Sequence, residues 1–172
     1  MESLFVSTGV VALAEIGDKT QLLAFLLATR FKKPVPIIAG ILVATILNHA
    51  LAGALGAWIT AVLSPEVLRW ILGLSFLGMA VWTMIPDKIE EEEMQVARKF
   101  GVFGATLITF FLAEMGDKTQ IATVAMAAHY PDPVLVVIGT TLGMLIADVP
   151  AVFLGGKLAE KVSLRLVHGI AA

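Results

Sequence analysis

Two nine-residue segments carry the ionisable side chains with the clearest chemical meaning. Residues 13–21 read Leu-Ala-Glu-Ile-Gly-Asp-Lys-Thr-Gln, and residues 112–120 repeat them with methionine in place of isoleucine. Both segments lie inside long apolar stretches, so each places two acids and a lysine where a membrane interior is expected. A charged group at that depth costs about 2.5 kcal/mol or more and usually has a function. The four acids, Glu15, Asp18, Glu114 and Asp117, therefore predict a cation site between two repeats.

The ligands that the two segments offer are all oxygen atoms. Carboxylates are joined by the hydroxyl and amide groups of Thr20, Gln21, Thr119 and Gln120. Hard oxygen ligands suit Ca²⁺, Mn²⁺ or Mg²⁺ and argue against Zn²⁺ and Cu⁺. Four carboxylates with Lys19 and Lys118 leave a charge of −2, which one divalent ion or two protons would cancel. The lysines are either counter-ions of the acids or participants in proton exchange.

The spacing within each segment suggests how a helix would present these groups. Glu15 lies three residues before Asp18 and four before Lys19, so one continuous helix would carry all three on one face. Gly17 and Gly116 weaken a helix at that point. An interruption there would free backbone carbonyls, which a membrane protein tolerates only around a cavity.

Composition and hydropathy place the chain in a lipid bilayer. Of its 172 residues, 58% are hydrophobic and 15% are charged, which is too apolar for a soluble domain. Five stretches reach the roughly 20 residues that a helix needs to cross the hydrocarbon core; they are residues 4–28, 35–63, 67–85, 102–128 and 134–155. The net charge of −2 and the absence of a basic patch argue against a nucleic-acid partner, and the absence of cysteine excludes disulfides and thiolate metal sites. The N-terminus has no basic segment of a cleaved signal peptide, so we interpret the first stretch as a retained helix.

The repeat extends beyond the two acidic segments. A shift of 99 residues without a gap aligns Pro34 with Pro133 and Gly40 with Gly139. One unit is then three helices, and an odd number of crossings inverts the second unit relative to the first. We predict an all-α polytopic membrane protein of two inverted repeats of three transmembrane helices. The first repeat covers residues 1–86, an acidic cytoplasmic linker residues 87–100, and an incomplete second repeat residues 101–172. The sixth helix would begin near residue 166 and is expected to be truncated or missing.

The basic residues predict the orientation. Nine lysines and arginines fall on one side of the predicted helices, in the first and third loops and after the fifth helix, whereas Arg69 is the one basic residue on the other side. Basic residues favour the cytoplasmic side. The N-terminus should therefore face outward, in an integral protein of a bacterial inner membrane.

Three further polar residues lie at depth: Asn48 and His49 on the second stretch and Asp148 on the fifth. The 99-residue shift aligns Asp148 with His49. Asp148 comes two residues before Pro150, which removes a backbone hydrogen bond. We interpret Asp148 as a candidate for a gate or site role and Asn48 as a supporting ligand. His49 is more often a packing residue than a proton carrier at such a position.

The duplicated E-φ-G-D-K-[TS]-Q segments resemble the signature of a family of Ca²⁺/Mn²⁺–proton antiporters, which includes Golgi ion-homeostasis proteins and bacterial manganese exporters. The resemblance covers essentially the whole chain. It implies six helices in two inverted triplets, with the acids at positions 15, 18, 114 and 117 as cation ligands.

These observations together favour a secondary transporter that exports Mn²⁺ or Ca²⁺ from the cytoplasm in exchange for protons, without a resident cofactor. An exporter of small cationic solutes such as basic amino acids is the alternative. A membrane aspartyl protease is disfavoured, because lysines beside the acids oppose a carboxyl pair that shares one proton. The sequence leaves the choice of ion, the stoichiometry and the oligomeric state open, a homodimer included.

Overall fold

A computed structural model describes residues 1–82 and 100–158, and this part of the chain is entirely helical outside its turns. Within these described residues seven helices follow one another: α1 Glu2–Glu15, α2 Lys19–Phe31, α3 Pro34–Val62, α4 Pro65–Trp82, α5 Gly101–Glu114, α6 Lys118–His129 and α7 Pro133–Leu158. All but the last residue of the predicted acidic linker at residues 87–100, and the start of a sixth predicted helix near residue 166, lie outside the described residues.

The first and fourth apolar stretches each form two helices instead of the one continuous helix that was predicted. The chain leaves the helical conformation at residues 16–18 and again at residues 115–117, which we call the first and second breaks. Gly17 and Gly116 have φ angles of +80° and +79°, a left-handed conformation that glycine adopts without a steric penalty. The expectation that Glu15, Asp18 and Lys19 share a face of one helix is therefore wrong. The glycines that weaken the helix are where it ends.

Helix α7 runs beside α1 and then α2 in the same direction. A methyl group added at Gly139 would lie 2.6 Å from the carbonyl oxygen of Leu4, and one at Gly143 would lie 2.6 Å from that of Thr8. Further along, Gly155 faces Phe25 in the same way. These glycines let the backbones approach closely, as small residues do in membrane helix pairs.

Helix α3 likewise runs beside α5 and then α6 in the same direction. Gly40 lies against Phe103 and Thr106 of α5, and Gly56 lies against Val124 of α6. Helix α3 runs opposite to α7, because Gly53 near the end of α3 contacts Val137 near the start of α7, while the early α3 residues 37–44 share a core with residues 151 and 152. Consequently α1 and α2 run opposite to α5 and α6.

Apolar packing surrounds the two breaks. One core joins α2, α3, α5 and α7 around Phe110 and Leu27, and a second joins α1, α6 and α7 around Met144 and Met126. Helix α4 packs chiefly on α6. Among the described residues, Pro34–Val62 and Pro133–Lys157 are single helices long and apolar enough to span a membrane.

Candidate metal centre between two interrupted helices

The first break positions one glutamate and one aspartate by backbone geometry. Glu15 is the last residue of α1, and Asp18 is the residue that precedes the first turn of α2. The Asp18 amide donates to the carbonyl oxygen of Glu15 at 3.1 Å. The Gly17 amide donates to Oε1 of Gln21 at 3.0 Å. These two hydrogen bonds fix the turn, and the turn holds the carboxyl groups of Glu15 and Asp18 close to each other.

The second break repeats this arrangement. Glu114 ends α5, and Asp117 precedes α6. The Asp117 amide donates to the carbonyl oxygen of Glu114 at 3.1 Å, and the Gly116 amide donates to Oε1 of Gln120 at 2.7 Å. Gln21 and Gln120, predicted as neutral ligands, thus use their amide oxygens to hold the turns.

The structure brings the four acids of the two breaks together at one place. One carboxylate oxygen from each residue can be chosen so that the four atoms all lie within 4.8 Å of one another. All four side chains are buried, with Asp18 the most exposed at 4%. We call this group the acidic cluster: Glu15, Asp18, Glu114 and Asp117.

Two threonines orient the glutamates of the acidic cluster. Thr20 Oγ1 donates to Oε2 of Glu15 at 2.6 Å, and Thr119 Oγ1 donates to Oε2 of Glu114 at 3.0 Å. The other oxygen of each glutamate, Oε1, is buried and accepts no hydrogen bond from the described residues. Each glutamate therefore keeps one carboxylate oxygen for another partner, and a buried acceptor of this kind is costly unless something binds it.

The two lysines differ from each other, which the sequence repeat did not predict. Nζ of Lys118 lies 2.5 Å from Oδ1 of Asp18, so the lysine of the second break pairs with the aspartate of the first. It also interacts electrostatically with Glu15 and Asp117. Lys19 is half-buried and forms no ion pair with the described residues. The charge count of −2 assumed both lysines at the site. With Lys118 alone, four ionised carboxylates leave −3.

The remaining predicted polar residues surround the cluster to different degrees. Asp148 is fully buried, and neither of its carboxylate oxygens accepts a hydrogen bond from the described residues. It interacts electrostatically with Glu15, Glu114 and Asp18. Asp148 thus belongs to the electrostatic surroundings of the acidic cluster.

Asn48 and His49 of α3 do different things. Asn48 Nδ2 donates to the carbonyl oxygen of Phe111 at 3.1 Å, which ties α3 to α5 three residues before Glu114. The imidazole of His49 is buried, and neither nitrogen bonds to a described residue. Asn48 therefore acts through helix packing in this structure.

An open cavity of about 340 Å³ begins at the first break. Its lining combines the start of α2 with the part of α7 that follows Asp148: Gly17, Asp18, Gln21, Leu22, Phe25, Pro150, Ala151 and Leu154. Gln21 Nε2 donates to the carbonyl oxygen of Ala147 at 3.1 Å and joins the two walls. The α7 wall of this cavity was not predicted from the sequence. Pro150, two residues after Asp148, was the available signal.

Comparison with known proteins identifies the family. The family model described as "Divalent cation/proton antiporter GDT1" matches residues 3–91 and 102–172. The chain belongs to the GDT1 family.

Relatives in bacteria and plants agree with this assignment. The chain is 53% identical over 173 residues to a Vibrio cholerae protein named "Putative manganese exporter", covering 100% of this chain and 86% of the relative. It is 32% identical over 195 residues to "GDT1-like protein 3" of Oryza sativa, with 98% and 69% covered, and 26% identical over 186 residues to "GDT1-like protein sll0615" of Synechocystis, with 94% and 88% covered. No solved structure matches the chain.

Membership of the GDT1 family confirms several predictions. The protein is a membrane cation/proton antiporter and not an enzyme, and its substrate is a divalent cation. Its exposed side chains agree with a lipid environment, since Leu13, Trp58, Trp70 and Leu77 are each more than 60% exposed. In water such a surface would drive association, whereas lipid chains solvate it.

Proposed function

We propose that this protein exports Mn²⁺, Ca²⁺ or both from the cytoplasm in exchange for protons, and that the acidic cluster binds the ion near the middle of the membrane. The observation that carries the proposal is the convergence of the four carboxylates. Two oxygens on opposite sides of an ion, each about 2.4 Å from it, lie about 4.8 Å apart, and this ligand distance is typical of Ca²⁺. The span of the four oxygens, at most 4.8 Å, suits such an ion.

We also propose that the fold is a pair of inverted three-helix repeats, residues 1–86 and 101–172, joined by a linker at residues 87–100. The support is that α1 and α2 run opposite to α5 and α6, while α3 and α7 each pack on the interrupted helices of the other repeat. Substrate sites of such transporters form between half-helices at the repeat interface. A homodimer is compatible with this arrangement but not required, since all four acids belong to one chain.

The orientation that we propose has the N-terminus outside a bacterial inner membrane. It rests on the distribution of basic residues, with Arg30 in the last turn of α2, Lys32 and Lys33 after it, and Lys157 near the end of α7 on one side. The cavity beside Asp18 is lined by residues that lie between the first break and this basic end. We therefore propose that the cavity is the route by which a cytoplasmic ion reaches the acidic cluster.

The exchange that we propose is one divalent ion for two protons. The cluster has the same net charge in both loaded states, whether one lysine or two lie beside it. An unloaded cluster carries two more negative charges, and burying them during the conformational change costs far more. Only the two loaded states then cross readily, which makes the exchange obligatory.

The alternative substrate is a small cationic solute such as a basic amino acid. One ammonium or guanidinium group needs one or two carboxylates, and four within 4.8 Å exceed that need. An organic cation also requires space beside its charged group, whereas every member of the acidic cluster is buried. The divalent ion is the better fit.

The test is transport by purified protein in proteoliposomes. We expect a pH gradient to drive uptake of Mn²⁺ or Ca²⁺ with the voltage clamped, and we expect lysine and arginine not to be transported. Asp18→Asn and Asp117→Asn should each lower the rate at least tenfold, because they remove a charged ligand and keep its shape.

Asp132→Asn is the matched control. Asp132 is exposed and accepts hydrogen bonds from the Val134 and Leu135 amides at the start of α7, and asparagine caps a helix about as well. This variant should transport at the parent rate. Parent rates in both cluster variants would refute the proposed site, and transport that follows voltage but ignores the pH gradient would refute proton exchange.

A further inference from the structure

The ion pairs of Lys19 and Lys118 differ, although the two breaks are otherwise nearly the same. Lys118 is buried against Asp18. The 99-residue shift converts this pair into Lys19 and Asp117, and Lys19 is half-buried without an ion pair among the described residues. One of two equivalent ion pairs is therefore formed.

The local structure of the two breaks does not explain the difference. Both have a glycine in the left-handed conformation, a threonine that donates a hydrogen bond to the glutamate, and a glutamine that accepts a hydrogen bond from the glycine amide. A second difference accompanies the first: Gln21 Nε2 bonds to the carbonyl oxygen of Ala147 in α7, whereas Gln120 Nε2 bonds to no described residue. The asymmetry thus lies in how each break meets the opposite long helix and the opposite break.

We propose that Lys118–Asp18 and Lys19–Asp117 are alternating ion pairs, each formed in one of the two access conformations and broken in the other. This inference rests on the proposed inverted-repeat antiporter. Because the two halves have nearly the same sequence and turn geometry at the breaks, exchanging their roles gives a second conformation of similar free energy. In that conformation Lys19 enters the acidic cluster and Lys118 leaves it.

The alternating pairs would also favour divalent ions as substrate. The ammonium group of the inserted lysine binds a carboxylate oxygen that the substrate needs, so the substrate must compete with it. A doubly charged ion interacts with each carboxylate twice as strongly as a monovalent ion at the same distance. Mn²⁺ or Ca²⁺ can then displace the lysine where Na⁺ or K⁺ cannot.

Cross-linking tests the second conformation directly, because the chain contains no cysteine. The double variants D18C/K118C and K19C/D117C would be treated in membranes with a bifunctional thiol reagent whose spacer matches a lysine side chain, and the products would be identified by mass spectrometry. We expect both pairs to cross-link. The control K33C/D117C should not cross-link. Lys33 comes directly before the start of α3, which packs on the start of α5, whereas Asp117 follows the end of α5.

The outcomes separate this inference from the proposed function. Cross-linking of D18C/K118C without K19C/D117C would overturn the alternation, and failure of D18C/K118C would overturn the pair from which it starts. Transport of Mn²⁺ by the parent protein, measured in the same preparation, tests the proposed function independently.

Single lysine substitutions give a second measurement. If the pairs alternate, K19M and K118M should slow exchange by similar factors, about tenfold each, because each removes the pair of one conformation. They should also raise competition by Na⁺. K33M is the matched control and should transport at the parent rate. A K19M rate within twofold of the parent, alongside a strong loss in K118M, would mean that Lys118 is a static counter-ion.

Discussion

Gly17 and Gly9 form a matched pair for testing whether the break in the first helix is built into the backbone. A methyl group at either position would meet no atom within 4 Å, so alanine fits both sites sterically. The difference is conformational, because Gly9 lies inside α1 whereas Gly17 has a φ of +80°. The same substitution should therefore have opposite effects at the two positions.

The expected magnitudes follow from the backbone alone. An alanine in a left-handed conformation costs about 1–2 kcal/mol, so Gly17→Ala should destabilise the protein by that amount. Alanine in place of glycine in a helix stabilises by roughly 0.5–1 kcal/mol, so Gly9→Ala should be more stable than the parent. Gly116→Ala, at φ +79°, should behave like Gly17→Ala.

The break also sets where the carboxylates lie, so stability and ion binding should change together. Relaxing φ at residue 17 turns Asp18 away from Glu15 and disturbs the amide bond to Gln21. A loss of about 1.4 kcal/mol in binding corresponds to a tenfold weaker affinity. We expect Gly17→Ala to bind Mn²⁺ about tenfold more weakly and Gly9→Ala to bind it like the parent.

Thermal unfolding in detergent, followed by circular dichroism, and Mn²⁺ titration of the same samples provide the assay. Gly17→Ala should unfold at a lower temperature than the parent and Gly9→Ala at a higher one. If Gly17→Ala unfolds at or above the temperature of Gly9→Ala, the left-handed glycine is not required at the break.

Three further predictions concern packing, orientation of a ligand and binding of the ion. Gly143→Ala should destabilise the protein by about 1–3 kcal/mol through overpacking, because its methyl group would lie 2.6 Å from the Thr8 carbonyl oxygen. The control is Gly73→Ala, whose methyl group would meet no atom within 4 Å, and equal unfolding temperatures of the two variants would contradict this packing. Thr119→Val removes the hydrogen bond to Glu114, which is worth about 1.5–3 kcal/mol when the acceptor is charged. The affinity for Mn²⁺, measured by titration, should therefore fall roughly tenfold or more. An unchanged affinity would show that Thr119 does not orient Glu114. Mn²⁺ at 100 times its dissociation constant should stabilise the parent by about 2.7 kcal/mol, and removal of the metal by a chelator should reverse this stabilisation. An equal stabilisation of Asp117→Asn by Mn²⁺ would exclude Asp117 as a ligand.

The order of residues along the chain determined the positions of the apolar helices and the residue types at the site. The second and fifth apolar stretches, predicted at residues 35–63 and 134–155, correspond to α3 Pro34–Val62 and α7 Pro133–Leu158, because hydropathy over 20 residues is a local property. The 99-residue repeat also identified the four acids and both glycines of the breaks, since a duplicated motif is visible in the sequence.

The tertiary structure decided which of these residues meet. Lys118 pairs with Asp18, 100 residues away, instead of with Glu114 in its own segment, whereas Lys19 forms no ion pair with the described residues. Helical spacing predicts contacts three or four residues apart only while the helix continues, and here a left-handed glycine ends it between the glutamate and the lysine. Two segments that differ at one residue also predict two similar environments. Which break receives the lysine depends on how the helices of the two halves pack, a property that no short segment contains.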